Sequence, residues 1–201
     1  MKTVKLMLLV PAIVLMSFSY AGLTDSEREF AVKHLKETKK NLLNKLKGLS
    51  DTQLSFKATP ESWSIAECVE HIAITENMIS GAAYGGLKGE ADPSRRSKLK
   101  MSDEQIVGFI TDRSGKVKTQ EAMEPTNSFG SYKETLKAFT TKRDENIAFI
   151  QKTNEDMRNH YNDFPFGVID TYQTMLFMSG HTKRHTAQIE EVMENANFPK
   201  K

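Results

Sequence analysis

Two histidines one helical turn apart are the first residues in this sequence whose type and spacing could do chemistry. His181 and His185 lie in the segment GHTKRHTAQIEE, in a chain of 201 residues that contains only five histidines. A helix places residues i and i+4 on one face, so both imidazoles could reach a single metal ion. The alternative is that they are ordinary residues of a polar helix, because an HxxxH spacing alone is weak evidence.

A third histidine strengthens the metal interpretation. On a helical wheel, His181 and His185 fall within the apolar stripe of one predicted helix, and His71 falls within the apolar stripe of another. A single buried histidine is usually a neutral ring with two hydrogen bonds, but three inward rings are harder to satisfy in that way. A metal ion takes one nitrogen from each ring. The sequence therefore predicts a metal site formed by His71, His181 and His185.

Three protein ligands leave coordination positions open, which is typical of catalytic or substrate-binding metals rather than structural ones. Imidazole ligands suit several divalent metals, copper among them, and we take Zn, Ni or Fe as the candidates. The sequence does not choose between them. Such an ion would lower the pKa of a bound water or polarise an atom of the substrate.

Two nearby side chains are weak candidates for a catalytic role. Gln188 could orient a water or a substrate, or it could be an amide that bonds between helices. Glu67 lies one turn before His71 and could act as a general base. The pattern Ser64-x-x-Glu67 is also a capping box, and we favour that structural role.

The remaining candidates have structural interpretations. Trp63 could close the end of the bundle near the site, but we favour a hydrophobic staple or core anchor. Thr75 and Met78 are expected to pack. His34 is predicted to lie at the surface or boundary of its helix, and His160 near a helix end, where a cation suits the dipole.

The chain has a single cysteine, Cys68, so an internal disulfide is excluded. Cys68 is expected to be buried and inert.

Hydrophobic periodicity predicts four long helices, at about 25–47, 64–83, 132–159 and 170–195. Capping patterns mark several of their starts, and no stretch shows convincing strand alternation. The predicted fold is therefore all-α, a four-helix bundle. A long connection, roughly 84–131, joins the second and third long helices and contains a predicted short helix from Ser102 to Ile110. Connections of that length usually cross a bundle or shape a site.

Residues 1–21 have the pattern of a secretory signal peptide. Lys2 and Lys5 precede an apolar run, and a small-x-small pattern ends at Ala21. We expect cleavage after Ala21, an exported protein that is periplasmic or secreted, and a single domain over 22–201. The alternative is an uncleaved anchor, which the shortness of the apolar run disfavours.

Charge limits the partners that the chain can have. The leader carries two of the 28 basic residues and no acidic one, so 26 basic residues remain against 26 acidic residues. A neutral chain gives no reason to expect nucleic acid as a partner. We expect a small-molecule substrate, no stable membrane insertion once the leader is removed, and a possible homodimer whose interface nothing in the sequence marks.

Several blocks of sequence resemble the DinB-like superfamily, in particular its DinB_2-type members. These blocks are ESWSIAECVEHIAITE (61–76), SDEQIVGFITDRS (102–114), FPFGVIDTYQTMLFMSGHTKRHTAQIEEV (164–192) and NFP (197–199). The resemblance covers about 25–199. It implies an up-down-down-up bundle with metal ligands at His71, His181 and His185, all of which are intact. Related families include metal-dependent transferases of low-molecular-weight thiols, in which the metal activates the thiolate.

Three hypotheses of function follow. The first is an exported metal-dependent transferase of the thiol type, or a hydrolase. An exported chain weakens the thiol alternative, because such cofactors are kept reduced in the cytosol. The second is a non-catalytic module that binds metal or a small ligand. The third is a protein-interaction bundle whose histidines are vestigial.

Overall fold

The computed structural model describes residues 22–115 and 118–200, so the predicted signal peptide lies outside the described residues. Within them the chain forms α-helices, two short 3-10 turns and one antiparallel hairpin. In chain order the elements are α1 (Asp25–Leu46), α2 (Asp51–Ser55), α3 (Ile65–Gly86), a 3-10 turn (Pro93–Lys98), α4 (Asp103–Thr111), a 3-10 turn (Glu121–Met123), α5 (Tyr132–Lys152), β1 (Tyr161–Phe164), β2 (Gly167–Asp170) and α6 (Thr171–Met193).

The four long helices begin where the sequence predicts them, because each is capped by a polar side chain. Thr24, Ser64 and Asp170 form complete capping boxes, and Ser131 accepts a hydrogen bond from the backbone of Glu134. The short helix α4 has the predicted capping box as well. The all-α four-helix bundle with a long connection that contains a short helix is thus the observed architecture.

Contacts between α1 and α6 show that these two helices run in the same direction. The Tyr172 hydroxyl donates to the Glu27 carbonyl oxygen at 2.8 Å, near the start of both helices. Lys45 and Glu190 form an ion pair at 2.7 Å, near the end of both. The first and last long helices of the chain are therefore parallel neighbours.

The two middle helices run the other way. Gly86, at the end of α3, lies against Thr171, at the start of α6, so α3 and α6 are antiparallel. Arg28 donates to the Thr153 carbonyl oxygen at the end of α5, while Lys39, later in α1, pairs with Asp144. The order is up-down-down-up, as the family resemblance implies. Both α1 and α3 pack against α5 and α6, so α1 and α3 occupy diagonal corners.

The core consists of two apolar clusters separated by a polar layer. One cluster fills the end of the bundle at which α6 begins, and the other fills the end at which α6 finishes. Between them lie buried polar side chains from all four long helices: Thr38, Glu76, Arg143, Asn146, Ser179 and Thr182. Cys68 is buried in the second cluster, as predicted.

The expectation that the chain contains no strand is wrong. Two four-residue strands pair between α5 and α6, with Tyr161 opposite Asp170 and Phe164 opposite Gly167. Each strand is too short to show alternation in the sequence. The hairpin ends directly at Asp170, the residue that caps α6.

Helix α5 ends seven residues before its predicted end. Its last residue is Lys152, and beyond it polar side chains take over backbone hydrogen bonds. Thr153 accepts from the Glu155 amide, and Asp156 accepts from the amides of Arg158 and Asn159. Such local bonds compete with helix continuation.

His160 consequently does not lie near a helix end, and the prediction that it does is wrong. It is buried, and its ring nitrogens lie 2.7 Å from the Asp156 carbonyl oxygen and 3.1 Å from that of Gly89. His34 lies at the edge of α1, as expected, and its Nδ1 is 2.8 Å from Ser179 Oγ.

None of the helices in the described part of the chain combines the length and apolar character needed to cross a membrane.

Candidate metal site

Two antiparallel helices bring three histidines to one point. His71 lies in the first half of α3, and His181 and His185 lie one turn apart in α6. The α6 pair faces His71 because the two helices pack along their length. His71 and His185 are buried, and His181 as a whole residue is of intermediate exposure.

The Nε2 atoms of the three rings converge. His181 Nε2 lies 3.4 Å from His71 Nε2 and 3.2 Å from His185 Nε2. One ligand atom from each ring can be chosen so that all three lie within 4.8 Å of one another. Within residues 22–115 and 118–200, no cysteine, aspartate or glutamate joins this cluster.

Every Nδ1 atom of the cluster has an oxygen partner on its outer side. His71 Nδ1 lies 2.7 Å from the Met123 carbonyl oxygen, and His185 Nδ1 lies 2.8 Å from Gln188 Oε1. His181 Nδ1 lies 3.3 Å from Thr75 Oγ1, whose own proton goes to the His71 carbonyl oxygen at 2.7 Å. All three oxygens act as acceptors, so each neutral ring carries its proton on Nδ1.

This tautomer leaves three Nε2 lone pairs facing one another without a donor between them. Buried lone pairs without a donor are unfavourable, and a cation at their centre removes the repulsion. Two nitrogens bound at tetrahedral zinc distances lie about 3.3 Å apart, which matches the spacings on either side of His181. The donor set therefore fits a divalent metal ion with nitrogen ligands.

Burial keeps the three rings neutral, as metal ligands must be. Burial first, and then the nearby His71 ring, lower the pKa of His185 from 6.5 to about 3. The pKa of His181 is held well below its usual value by burial first and then by the two other rings. Burial also lowers the pKa of His71, against the opposing effect of the hydrogen bond to Met123.

Aromatic rings border the cluster. Trp63 lies against His71, with ring centroids 4.9 Å apart, and 6.4 Å from His185. Phe177 lies one turn before His181, with a centroid distance of 6.4 Å. Trp63, for which a hydrophobic staple or core anchor was the favoured interpretation, thus forms an apolar wall of the site, which limits the access of water.

Helix α4 packs tightly beside the ligand pair because Gly180 has no side chain. A Cβ atom there would overlap the Cγ2 methyl group of Ile110. The short helix in the connection is therefore held against α6 at the residue before His181.

The two weak catalytic candidates lie in different places. Gln188 is at the site, but its oxygen faces the Nδ1 atom of His185. Glu67 accepts from the Ser64 amide at 2.7 Å and pairs with Lys57 at 2.7 Å, so the capping-box interpretation is confirmed. These bonds lower the pKa of Glu67, against the opposing effect of burial.

Sequence reasoning missed two partners of the ligands. Thr75 was expected to pack, yet its hydroxyl oxygen meets His181; its position one turn after His71 was the available signal. Met123 contributes a backbone carbonyl, for which no side-chain pattern exists. Met78, also expected to pack, is 40% exposed.

Two surface grooves, of about 460 and 290 Å³, lie along other faces of the bundle and include none of the three histidines. The convergence of the ligand atoms defines the site, because a bound metal ion needs no large cavity.

Comparison with known families gives one match over most of the chain. The DinB_2 family model, described as the DinB superfamily, matches residues 34–189. This segment includes all three histidines. A curated relative, the uncharacterized protein YuaE of Bacillus subtilis (strain 168), is 29% identical over 152 residues, which is 75% of this chain and 90% of YuaE.

The solved structure of a second protein shares the fold of this chain. It is that of YfiT from Bacillus subtilis, described as "a probable metal-dependent hydrolase with an unusual four-helix bundle topology". The TM-score is 0.58 at 14% sequence identity, over 88% of this chain and 91% of YfiT. At that identity the likeness concerns the fold.

Proposed function

The chain belongs to the DinB superfamily, and from that premise we propose that it binds a divalent metal ion through His71, His181 and His185 to act on a small molecule. The observation that carries the proposal is the set of three Nε2 atoms, which face one another while every Nδ1 atom has an acceptor. A purely structural histidine cluster would place donors against acceptors. This one places acceptors against acceptors, as a cation site requires.

When bound, a divalent ion supplies Lewis acidity at the positions that three protein ligands leave open. The protein's own groups do the rest. Met123, Thr75 and Gln188 fix the ring orientations and tautomers. Trp63 and Phe177 line the sides of the cluster with apolar surface and so limit the access of water.

The reaction class that we propose is hydrolysis or transfer to a thiol. The description of YfiT as a probable metal-dependent hydrolase supports the first, as an analogy between proteins of one fold. The family resemblance supports the second. If the chain is exported, its compartment favours hydrolysis, because thiol cofactors are kept reduced inside cells.

We further propose that residues 1–21 are a signal peptide, that 22–201 form a single domain, and that the protein is periplasmic or secreted. The basic and apolar pattern of the leader supports export. A homodimer stays a prediction.

A second candidate function is a non-catalytic module that binds metal or a small ligand. One observation favours it: Glu67, the carboxylate considered as a general base, is held by Ser64 and Lys57. A hydrolase would then have to take its base from the substrate or the solvent. Turnover that depends on added metal would separate the two functions.

The first experiment is metal analysis by elemental mass spectrometry, on untagged mature protein purified from its native compartment. We expect about one ion per chain, lost in His181→Ala and retained in the matched control His34→Gln, which changes a histidine outside the cluster. A wild-type protein that carries no ion and takes up neither zinc nor nickel would contradict the proposal.

A further inference from the structure

The connection between α4 and α5 takes part in the site. After α4 ends at Thr111, the chain reaches the 3-10 turn Glu121–Met123 before α5 begins at Tyr132. The Met123 carbonyl oxygen lies 2.7 Å from His71 Nδ1. This segment therefore reaches a metal-ligand ring from outside the bundle, and its position determines where that acceptor lies.

A buried carboxylate holds the segment just beyond Met123. Glu70, next to His71 in α3, is 7% exposed. Its Oε1 accepts hydrogen bonds from the Thr126 amide at 3.2 Å and from the Ser128 amide at 2.6 Å. A buried carboxylate requires hydrogen-bond donors, and these two amides supply them.

The backbone between the two amides adopts an unfavourable conformation. Asn127 has φ = 62°, in the left-handed region that non-glycine residues seldom occupy. This turn directs the amides on either side of Asn127 toward the same oxygen, as in anion-binding backbone turns. The two hydrogen bonds to Glu70 hold the turn in this conformation.

We propose that Glu70 is a positioning residue for the metal site: it fixes the 123–128 segment, which in turn holds the Met123 carbonyl on His71. Glu70 does not touch the ligand cluster itself. It acts through the backbone of the segment, on the orientation and tautomer of one ligand ring. This inference rests on the proposed function, since it assigns Glu70 to the same metal site.

The test uses the mature full-length chain and zinc titration against a chromogenic chelator. We expect Glu70→Ala to raise the Kd for zinc about tenfold, since the loss of an outer partner of a ligand typically weakens binding 10–100-fold. Glu70→Gln keeps an oxygen at the same position and should stay within about threefold of the wild type. Glu70→Asp keeps the charge, but it is one methylene shorter and should resemble Glu70→Ala.

The matched control is Asp92→Ala. The Asp92 carboxylate also accepts a hydrogen bond from a backbone amide, that of Ser94. It caps the 3-10 turn Pro93–Lys98, however, and does not hold the segment at His71. We expect its Kd for zinc to equal that of the wild type. If Glu70→Ala fails to fold, Glu70→Asp carries the test.

A second readout needs no metal. Nitrogen-15 NMR of the metal-free protein should show His71 protonated at Nδ1 in the wild type and Glu70→Gln, and a mixture of tautomers in Glu70→Asp and Glu70→Ala. Unchanged zinc affinity and tautomer in both of the last two variants would overturn the inference, as would equal losses in Glu70→Gln and Glu70→Ala. A wild-type protein that binds neither zinc nor nickel would contradict the proposed metal function, while the tautomers measured without metal would still test the role of Glu70.

Discussion

The carboxylate of Glu76 receives two hydrogen bonds, at 2.7 and 2.8 Å, from the guanidinium group of Arg143 at the centre of the bundle. Both side chains are almost completely inaccessible to solvent. Asn146 also donates to Glu76, and Arg143 reaches the oxygens of Thr38 and Thr182. This network is the polar layer between the two apolar clusters, next to the histidine site.

Removing one partner of this pair should destabilise the protein strongly. Glu76→Ala or Arg143→Ala leaves a buried charge unpaired, and we expect a loss of about 3–5 kcal/mol in the free energy of unfolding. Chemical denaturation of the metal-free protein measures it. The control is the ion pair of Lys39 with Asp144, whose carboxylate is exposed, and Asp144→Ala should cost less than about 1 kcal/mol.

The double variant Glu76→Leu/Arg143→Met should lose less than the sum of the two alanine variants, because neither charge is left alone. A Glu76→Ala variant as stable as the wild type would show that water or rearrangement satisfies Arg143. That result would contradict the role of the pair as the anchor of the polar layer.

Gly180→Ala should destabilise the packing of α4 on α6. The added Cβ overlaps the Cγ2 methyl group of Ile110, so the side chain or the helix must move, and we expect a loss of about 1–3 kcal/mol. The double variant Gly180→Ala/Ile110→Ala removes the overlap, so the added loss from Gly180→Ala should largely disappear in the Ile110→Ala background. The denaturant midpoints of the wild type, the two single variants and the double variant measure the coupling between Gly180 and Ile110.

Gly81→Ala is the matched control for this substitution. Gly81 lies within α3, and a Cβ atom there would meet nothing within 4 Å. Alanine in an exposed helix interior should raise the stability by about 0.5–1 kcal/mol. Equal effects of Gly180→Ala and Gly81→Ala would contradict the close approach of α4.

His34 should make the protein sensitive to acid. Burial first, and then the charges of Lys183 and Arg143, lower its pKa from 6.5 to about 4. The pKa of His34 is lower in the folded protein than in the unfolded chain, so the folded state favours the neutral ring. The contribution of the neutral ring to stability is therefore complete above pH 6.5 and is lost as the pH falls toward 4. We expect the protonation of His34 to lower the free energy of unfolding by about 2–3 kcal/mol. This is less than the full pKa shift would give, because water screens the partly exposed ring.

The comparison is with His34→Asn, which places an amide near Ser179 but does not titrate. Denaturation of both proteins between pH 7 and pH 4, with a chelator present, should show a flatter profile for the variant. The three clustered histidines are present in both proteins, so their contributions to the two pH profiles cancel in the comparison. Parallel profiles would exclude His34 as a source of acid sensitivity.

Gln188 should matter for metal affinity through His185. Gln188→Leu removes the acceptor that faces His185 Nδ1, and we expect the Kd for zinc to rise about tenfold or more. Gln188→Glu keeps an oxygen there and should retain the affinity. Competition with a chelator measures both variants. Equal weakening in the two would argue that the amide group itself, and not an acceptor oxygen, is needed.

Sequence reasoning located the long helices because their starts carry strong local signals. Ser64 with Glu67, and Asp170 with Gln173, are capping boxes that the structure reproduces. The end of α5 carries no such signal, because the residues after Lys152 are polar, and polar residues are equally compatible with an exposed helix and with a turn. Their side chains decide the outcome through local bonds to the backbone.

The convergence of the three histidines could be anticipated from spacing and helix faces alone. Their outer partners could not, because Met123 acts through its backbone and is 52 positions from His71. Thr75 faces His181 only because α3 and α6 are antiparallel neighbours. Such partners depend on how the helices are arranged in space, which periodicity does not encode.

The wide separation of the three histidines along the chain has a consequence for the integrity of the protein. His71 and His181 are separated by 110 positions, and the whole long connection lies between them. An ion shared by the three rings would act as a cross-link in a protein whose single cysteine can form no internal disulfide. Closing a loop of that length can contribute a stabilisation of about 4–5 kcal/mol. A protease that cut the connection of the loaded protein would thus leave two fragments still joined at the histidines.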